Sequence, residues 1–261
     1  MFDVTEPGKR RLMIFSHPNH ELGLYGFEQR VRPSFVFLTD GSTEKRIGES
    51  KAALDAIGLL EKARYLLYPE SSIYERMLDG DVAYFEEIVE RVRAVVDEIE
   101  PEQVFCDAVE FYNPTHDVSL PITRAALAGR PDVEVFEVPL AYQPSNGADT
   151  IMQRVMPSRR EEAISIRLTP EATAAKRRAR DEIYSVLRAD LGETICGIAE
   201  EQLAIEEMRP ADRGLQPVPG ECRLRYDERG RLFLERGEVD RALTWAEHYR
   251  PVAERLFSLA A

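Results

Sequence analysis

The sequence is poor in cysteine and in long apolar runs. The first scarcity argues against disulfide-rich and cysteine-zinc proteins, and the second against membrane-spanning proteins. Three cysteines among 261 residues, with no Cys-x-x-Cys spacing, argue against a disulfide framework and against a cysteine zinc site. We therefore expect reduced thiols and a cytoplasmic location. No apolar run reaches the roughly 20 residues that span a bilayer. The first residues, MFDVTEPGKRR, lack the apolar region of a signal peptide.

Positive charge is also scarce. The formal net charge is −13, which argues against nucleic acid as a partner, because phosphate binding needs clustered lysine and arginine. The same charge argues against binding to an anionic membrane surface. Hydrophobic residues make up 44% of the chain and charged residues 31%, which suits a globular protein with a substantial core.

Short apolar runs predict buried strands, and longer stretches with apolar residues at helical spacing predict the helices between them. The predicted strands are 11–16, 34–38, 63–67, 103–106, 133–138 and 163–168, and the predicted helices are 44–60, 81–99, 170–189 and 245–259. Residues 222–236 predict a hairpin that turns at Glu228-Arg229-Gly230. This order is typical of an α/β protein: a Rossmann-like, mostly parallel sheet with helices on both faces, plus a C-terminal helix and hairpin extension. We expect one α/β domain at 1–190 and an extension at 191–261 packed on it.

The four histidines are placed unevenly. His17 and His20 are three residues apart directly after the first predicted strand, and His116 follows a later one. Positions i and i+3 of a helical turn share a face, so both imidazoles could reach one ion, with His116 as a remote third ligand. Ligands bind at the carboxyl ends of parallel strands, so we expect these segments to converge with Thr39-Asp40-Gly41. Loop histidines are also often exposed or bonded to backbone, and spacing alone leaves that alternative open. His248 is expected to be structural.

The order and spacing of these motifs resemble the PIG-L/LmbE-like zinc-dependent deacetylases, the family of GlcNAc-PI de-N-acetylase. That family carries His-Pro-Asp-Asp-Glu after its first strand, where this chain has His17-Pro18-Asn19-His20-Glu21. Thr39-Asp40-Gly41 and the run from Arg46 to Gly58 match its next two motifs. Asn113-Pro114-Thr115-His116 stands where the family has His-Pro-Asp-His. The resemblance covers about residues 10–185, and it implies the family's fold and a bound metal.

The resemblance also assigns roles, and the departures from it matter. His17, His20 and His116 stand at the three zinc-ligand positions, so a His-Asp-His site has become a His-His-His site. Asn19 replaces the usual general base, and Asn113 replaces a histidine that helps to stabilise the oxyanion. We assign candidate catalytic roles to Asn19, Asn113, Asp40 and Glu21, and candidate substrate-binding roles to Arg46 and Glu110.

The three-histidine set has a chemical consequence. Neutral imidazoles leave the full +2 charge on zinc, which favours ionisation of a bound water; carbonic anhydrase, with three histidines, has a zinc-water pKa of about 7. Such a centre does not need Asn19 as a base, although a leaving amine still needs an acid. Glu21 and Asp117 adjoin ligand positions, which favours an orienting role for their carboxylates over direct acid–base work.

Three hypotheses follow. The first is a metal-dependent hydrolase of a C–N bond, with zinc as cofactor, that deacylates an amino-sugar-like or related small molecule. Three neutral histidines also suit Fe, Ni or Cu, so the second is a family member recruited to a different reaction. The third is a non-catalytic binding protein that kept the pocket. In each case the expected partner is a small molecule, neither nucleic acid nor a membrane is expected, and a homo-oligomer is left open.

Overall fold

A computed structural model describes residues 3–260, in which strands and helices alternate. The strands are β1 (Arg11–Phe15), β2 (Ser34–Thr39), β3 (Ala63–Tyr68), β4 (Gln103–Asp107), β5 (Glu134–Val138), β6 (Ala141–Tyr142), β7 (Ile151–Met152), β8 (Ile164–Arg167) and β9 (Ile205–Pro210). The α-helices are α1 (Tyr25–Val31), α2 (Glu44–Ala56), α3 (Glu70–Leu78), α4 (Val82–Ile99), α5 (Pro114–Asp117), α6 (Ser119–Ala126), α7 (Pro170–Arg178), α8 (Ser185–Leu191), α9 (Glu193–Cys196), α10 (Glu200–Leu203), α11 (Arg225–Glu235) and α12 (Arg250–Leu259).

Within residues 3–260, seven strands form one central sheet in the order β3-β2-β1-β4-β5-β9-β8. Strands β1 to β5 pair in parallel, whereas β9 runs antiparallel to both β5 and β8. Strands β6 and β7 form a separate antiparallel pair. The predicted α/β class with a mostly parallel sheet is confirmed.

Burial on both faces explains why the first strands are almost wholly apolar. Successive side chains of a strand point to opposite faces. Leu12 and Ile14 join the core formed with α4, α6 and α12, and Met13 and Phe15 join a second core that includes residues of α1 and α2. A parallel sheet covered on both sides needs such continuous runs, because neither face meets water.

Helix α4 shows how sequence sets an element's bounds. Asp81 lies just before it, and its carboxylate accepts a hydrogen bond from the backbone N–H of Tyr84, which satisfies an amide that the first turn leaves free. Phe85 and Val92 are on the buried face. Pro101 follows shortly after the last residue, where a helix cannot continue. No helix among residues 3–260 combines the length and the apolar character that a bilayer crossing needs.

The predicted hairpin at 222–236 is wrong. Residues 225–235 form helix α11, and Gly230 lies inside it. A Cβ added at Gly230 would approach the carbonyl oxygen of Leu243 at 3.1 Å. The glycine therefore allows close packing between α11 and the following segment, and it does not mark a turn.

Strand β9 escaped the sequence analysis because acidic side chains occupy buried positions in it. Glu206 is 1% exposed, and its carboxylate accepts hydrogen bonds from the backbone N–H groups of Gly26 and Phe27 in the first turn of α1. Lys176 Nζ lies 2.9 Å from the same carboxylate and donates to the Gly23 carbonyl oxygen. This buried pair joins β9 and α7 to the segment that follows β1.

Candidate metal centre

Three histidines meet at the carboxyl ends of the neighbouring strands β1 and β4. His17 and His20 follow β1, and His116 lies in α5, after β4. The ring centroids are 3.9 Å apart for His17 and His20, 4.4 Å for His20 and His116, and 4.9 Å for His17 and His116. One ligand atom from each ring lies within 4.8 Å of the other two. The structure thus brings all three predicted metal ligands together.

Backbone conformation shapes this corner of the molecule. Asn19 has a φ of 85°, in the left-handed region that asparagine tolerates better than most residues, and a 3₁₀ turn begins at His20 directly after it. Gly41, in the neighbouring loop, has a φ of 63°. A Cβ at Gly41 would lie 2.6 Å from the Arg46 side chain and 3.4 Å from His17 Cβ. A side chain at position 41 would be strained by this φ and would force the Arg46 side chain to move, so glycine suits the point where the loop passes the histidines.

The second ring nitrogens of two histidines are occupied. His20 Nδ1 lies 3.0 Å from Asp107 Oδ1, and Asp107 Oδ2 accepts a hydrogen bond from the Ser16 backbone N–H at 2.7 Å. His17 Nδ1 lies 3.3 Å from the Pro18 carbonyl oxygen. A carboxylate or carbonyl that receives the Nδ1 proton leaves Nε2 as the nitrogen free to bind a metal. Asp107 is fully buried at the end of β4.

The electrostatics favour neutral imidazoles. Burial, reinforced by neighbouring imidazoles and by Arg46, holds the pKa of His17 and the pKa of His116 well below the usual value. Both rings are therefore neutral at neutral pH, which is the form that binds metals.

The donor set also fits a divalent ion sterically. The Nε2 atoms of His17 and His116 lie 3.0 Å apart. Two ligands held at roughly 2.0–2.1 Å from a tetrahedral ion lie roughly 3.4 Å apart, which is close to that separation. His116 Nδ1 has no hydrogen-bond partner among the residues that the structure describes. These three imidazoles could hold zinc or another borderline cation.

The two asparagines lie at the same cavity. Asn19 Nδ2 is 3.4 Å from the Arg46 carbonyl oxygen, and Asn19 Oδ1 is buried with no partner within residues 3–260. Asn113 caps α5: its Oδ1 accepts from the Thr115 backbone N–H and from the Tyr74 hydroxyl, each at 2.9 Å. Asn113 Nδ2 lies 3.2 Å from His116 Nε2, so its N–H groups lie beside the ring nitrogens.

The three predicted acidic site residues hold structure around the cavity: Asp40 and Glu110 accept from backbone N–H groups, and Glu21 accepts from a tyrosine hydroxyl. Asp40 Oδ1 accepts hydrogen bonds from the backbone N–H groups of Ser42 and Glu70. Glu21 is fully buried, burial raises its pKa, and its Oε1 accepts a hydrogen bond from the Tyr184 hydroxyl at 3.0 Å. Glu110 Oε2 accepts from two backbone N–H groups, those of residues 140 and 141. None of the three lines the cavity among the residues that the structure describes.

Arg46 joins the histidine corner to α8. Its Nη2 donates to Asp190 Oδ2 at 2.6 Å, and its Nη1 lies 3.4 Å from His17 Nδ1. One turn further along α2, Glu49 accepts hydrogen bonds from the Ser185 hydroxyl and the Val186 backbone N–H. The predicted substrate-binding arginine is thus at the cavity, with its charge already paired.

A cavity of about 610 Å³ opens in front of the histidines. Several of its polar wall residues were not predicted from the sequence: Glu70, Tyr74, Tyr112, Gln153, Asp190 and Arg229. One of them, Glu70, has its Oε1 3.9 Å from His17 Nε2. Glu70 lies two residues after the end of β3, at a strand end where functional residues are common, but no motif marks it in the sequence.

No protein-family model matches the chain, and no curated protein matches it. Solved deacetylase structures do resemble it. A triple mutant of a deacetylase from the teicoplanin biosynthetic pathway matches with a TM-score of 0.56 at 17% identity, over 77% of this chain and 97% of that chain. A deacetylase–teicoplanin complex matches at 0.50 and 14%, over 77% and 97%. The A40926 pseudoaglycone deacetylase matches at 0.50 and 16%, over 77% and 96%. At these identities the likeness is one of fold.

Proposed function

We propose that this chain is a metal-dependent hydrolase of a C–N bond, a divergent PIG-L/LmbE-like N-deacetylase with zinc at His17, His20 and His116. The observation that carries the proposal is the cluster of three imidazoles at strand ends, facing a cavity. The fold shared with deacetylases supports the reaction class.

The surrounding residues fit amide hydrolysis. Bound zinc would polarise the amide carbonyl and activate water. Asp107 holds the His20 ring in one tautomer through Nδ1. Asn113 presents its side-chain N–H groups beside His116 Nε2, where they can donate to a carbonyl oxygen that gains negative charge. Asn19, the residue before His20, also lines this cavity with its side-chain amide.

The cavity supports a small polar substrate. Its volume of about 610 Å³ lies within the range of small-molecule sites, roughly 300–1,000 Å³. Arg46, Tyr74, Tyr112 and Gln153 place hydrogen-bonding groups on its walls. An N-acetylated amino sugar, or a related polyhydroxylated amide, would use such groups for orientation.

Acetate release from a panel of N-acetylated amino sugars tests the proposal. We expect hydrolysis by the zinc-loaded protein, loss of activity after treatment with a chelator, and recovery when zinc is restored. Unchanged hydrolysis by metal-free protein would contradict the proposal, as would metal-loaded protein that releases no acetate from any substrate in the panel.

A second function keeps the metal and changes the reaction. The observation that favours it is Asn19, which cannot act as a base at neutral pH and whose Oδ1 lacks a partner among the described residues. Three neutral imidazoles also suit Fe, Ni or Cu. Metal analysis that finds a redox-active ion in place of zinc, together with no acetate release, would support this function over the first.

A further inference from the structure

A carboxylate that no sequence motif marks lies beside His17, one of the three histidines. Glu70 is the first residue of α3 and lies two residues after the end of β3. Its Oε1 lies 3.9 Å from His17 Nε2, and its side chain is only 12% exposed. Glu70 lines the same cavity as His17, His20 and His116. It approaches the ring nitrogen of His17 that also faces His116.

Two contacts hold Glu70 in that position. The Ser42 hydroxyl donates to Glu70 Oε2 at 2.6 Å. The Glu70 backbone N–H donates to Asp40 Oδ1 at 3.1 Å, and the Ser42 backbone N–H donates to the same oxygen at 2.9 Å. The loop after β2 therefore fixes both the start of α3 and one oxygen of the carboxylate. The other oxygen, Oε1, is the one nearest the histidine cluster.

A negative charge beside the histidines would help to balance the charge of a bound divalent ion. Three neutral imidazoles contribute no negative charge to a divalent ion, and a buried charge needs a partner. Asp107 meets His20 at Nδ1, on the ring's other side from Nε2. Glu70 is the carboxylate on the Nε2 side of His17.

The distance is compatible with direct binding. Ligand atoms of one tetrahedral ion lie roughly 3.4 Å apart when metal–ligand distances are about 2.0–2.1 Å. Glu70 Oε1 lies 3.9 Å from His17 Nε2, but Glu70 is not in the set of ligand atoms that all lie within 4.8 Å of one another. Direct binding therefore requires the Glu70 side chain to rotate toward the other two histidines.

We propose that Glu70 is the anionic ligand of the centre, so that the donor set is three histidines and one glutamate. This inference rests on the proposed metal-dependent function. Glu70 would then supply the negative charge that the family's aspartate supplies at the position of His20, from a different strand end. A mixed nitrogen and carboxylate set suits Zn, Fe, Mn and Ni better than Cu(I), which prefers softer ligands.

The test is metal affinity, which requires no turnover. Zn²⁺ binding to the purified full chain is measured by competition with a chromophoric chelator, for wild type, Glu70→Gln and Glu70→Asp. Glu75→Gln is the matched control, because Glu75 is an exposed glutamate on the same helix. We expect affinity at least about tenfold weaker for Glu70→Gln, intermediate for Glu70→Asp, and unchanged for Glu75→Gln. The visible spectrum of the Co²⁺-loaded protein should also change in Glu70→Gln.

The outcomes separate this inference from the proposed function. Wild-type protein that binds no metal would overturn both. Tight metal binding by wild type, with equal affinity and an unchanged Co²⁺ spectrum in Glu70→Gln, would overturn the role of Glu70 and leave the three-histidine site intact. If Glu70→Gln does not fold, Glu70→Asp decides, since affinity equal to that of wild type would contradict direct binding by the longer side chain.

Discussion

His20 Nδ1 and Asp107 Oδ1 lie 3.0 Å apart, although 87 positions separate the two residues in the sequence. The contact joins the ends of strands β1 and β4, which pair in parallel. A carboxylate on the far nitrogen of a metal-binding imidazole fixes its tautomer and raises its basicity. Asp107 is therefore the residue through which the sheet itself orients the candidate centre.

Replacement of Asp107 should weaken metal binding. Asp107→Asn removes the charge that fixes His20, and loss of such a partner typically costs roughly 10- to 100-fold in metal affinity. Chelator competition on the purified protein measures the change. Asp55→Asn is the control, because Asp55 is exposed on α2. Wild-type affinity in Asp107→Asn would show that the contact does not support a metal site.

His116→Ala should abolish most metal binding. The protein as isolated should hold about one equivalent of a divalent metal, because three imidazoles can fill three positions of one tetrahedral ion. His248→Ala is the control, because His248 is not part of the histidine cluster. Its Nδ1 accepts a hydrogen bond from the Thr244 backbone N–H at 3.1 Å. Mass-spectrometric metal analysis of the three proteins checks this, and equal content in all of them would exclude the site.

Asn19→Asp should accelerate hydrolysis of a simple N-acetyl substrate. Aspartate has a similar volume, also tolerates the left-handed backbone of position 19, and places a carboxylate at the cavity. A positioned base contributes roughly 10²- to 10⁴-fold. Rates are compared across pH at known metal content. A fast wild type that Asn19→Asp slows would mean that Asn19 is itself a catalytic donor.

Asp190→Asn should improve binding of anionic substrates. Asp190 pairs with Arg46 at 2.6 Å, but its side chain is 51% exposed. Arg46 is only 11% exposed, but the half-exposed Asp190 leaves the pair screened by water at a strength of about 1 kcal/mol. Release of Arg46 should therefore lower KM by roughly two- to fivefold for N-acetyl substrates that carry a carboxylate or phosphate. Neutral substrates provide the comparison. An identical effect on both substrate classes would argue against competition for Arg46.

Glu110 should make the protein less stable as pH rises. Burial raises the pKa of Glu110 to about 8 from the usual 4.5, although two backbone N–H groups oppose the shift. Between these values the folded protein holds a proton that the unfolded chain releases, so the free energy of unfolding falls with increasing pH. Glu110→Gln removes this loss, and its stability relative to wild type should rise from about pH 5 to about pH 8.

Urea unfolding at the two pH values measures that difference. Glu75→Gln serves as the exposed control and should differ from wild type by the same amount at both. A stability gap for Glu110→Gln that does not depend on pH would show that Glu110 is ionised in the folded protein.

Sequence patterns predicted the elements whose buried positions are apolar, either as a continuous run in a strand or along one face of a helix. The strands at 11–16 and 103–106 and the helix at 81–99 are apolar where the core needs them, and their ends set the histidines side by side. The patterns failed to predict β9, where buried positions such as Glu206 are charged. They also predicted a turn at Gly230, where glycine instead allows close packing inside a helix. Glu70 was missed because a single glutamate after a strand has no motif, and its approach to His17 depends on the turn at Ser42.

The position of β9 in the sheet affects how the chain folds during synthesis. Residues 205–210 lie between β5 and β8, although both neighbours precede them in the chain. Synthesis runs from the N-terminus, so the three clustered histidines are made before β9. Until β9 is made, one edge of β5 has no partner strand, and β8 has none either. An open strand edge invites pairing with other chains. Nascent or C-terminally shortened chains should therefore aggregate even though all three candidate histidine ligands are already present.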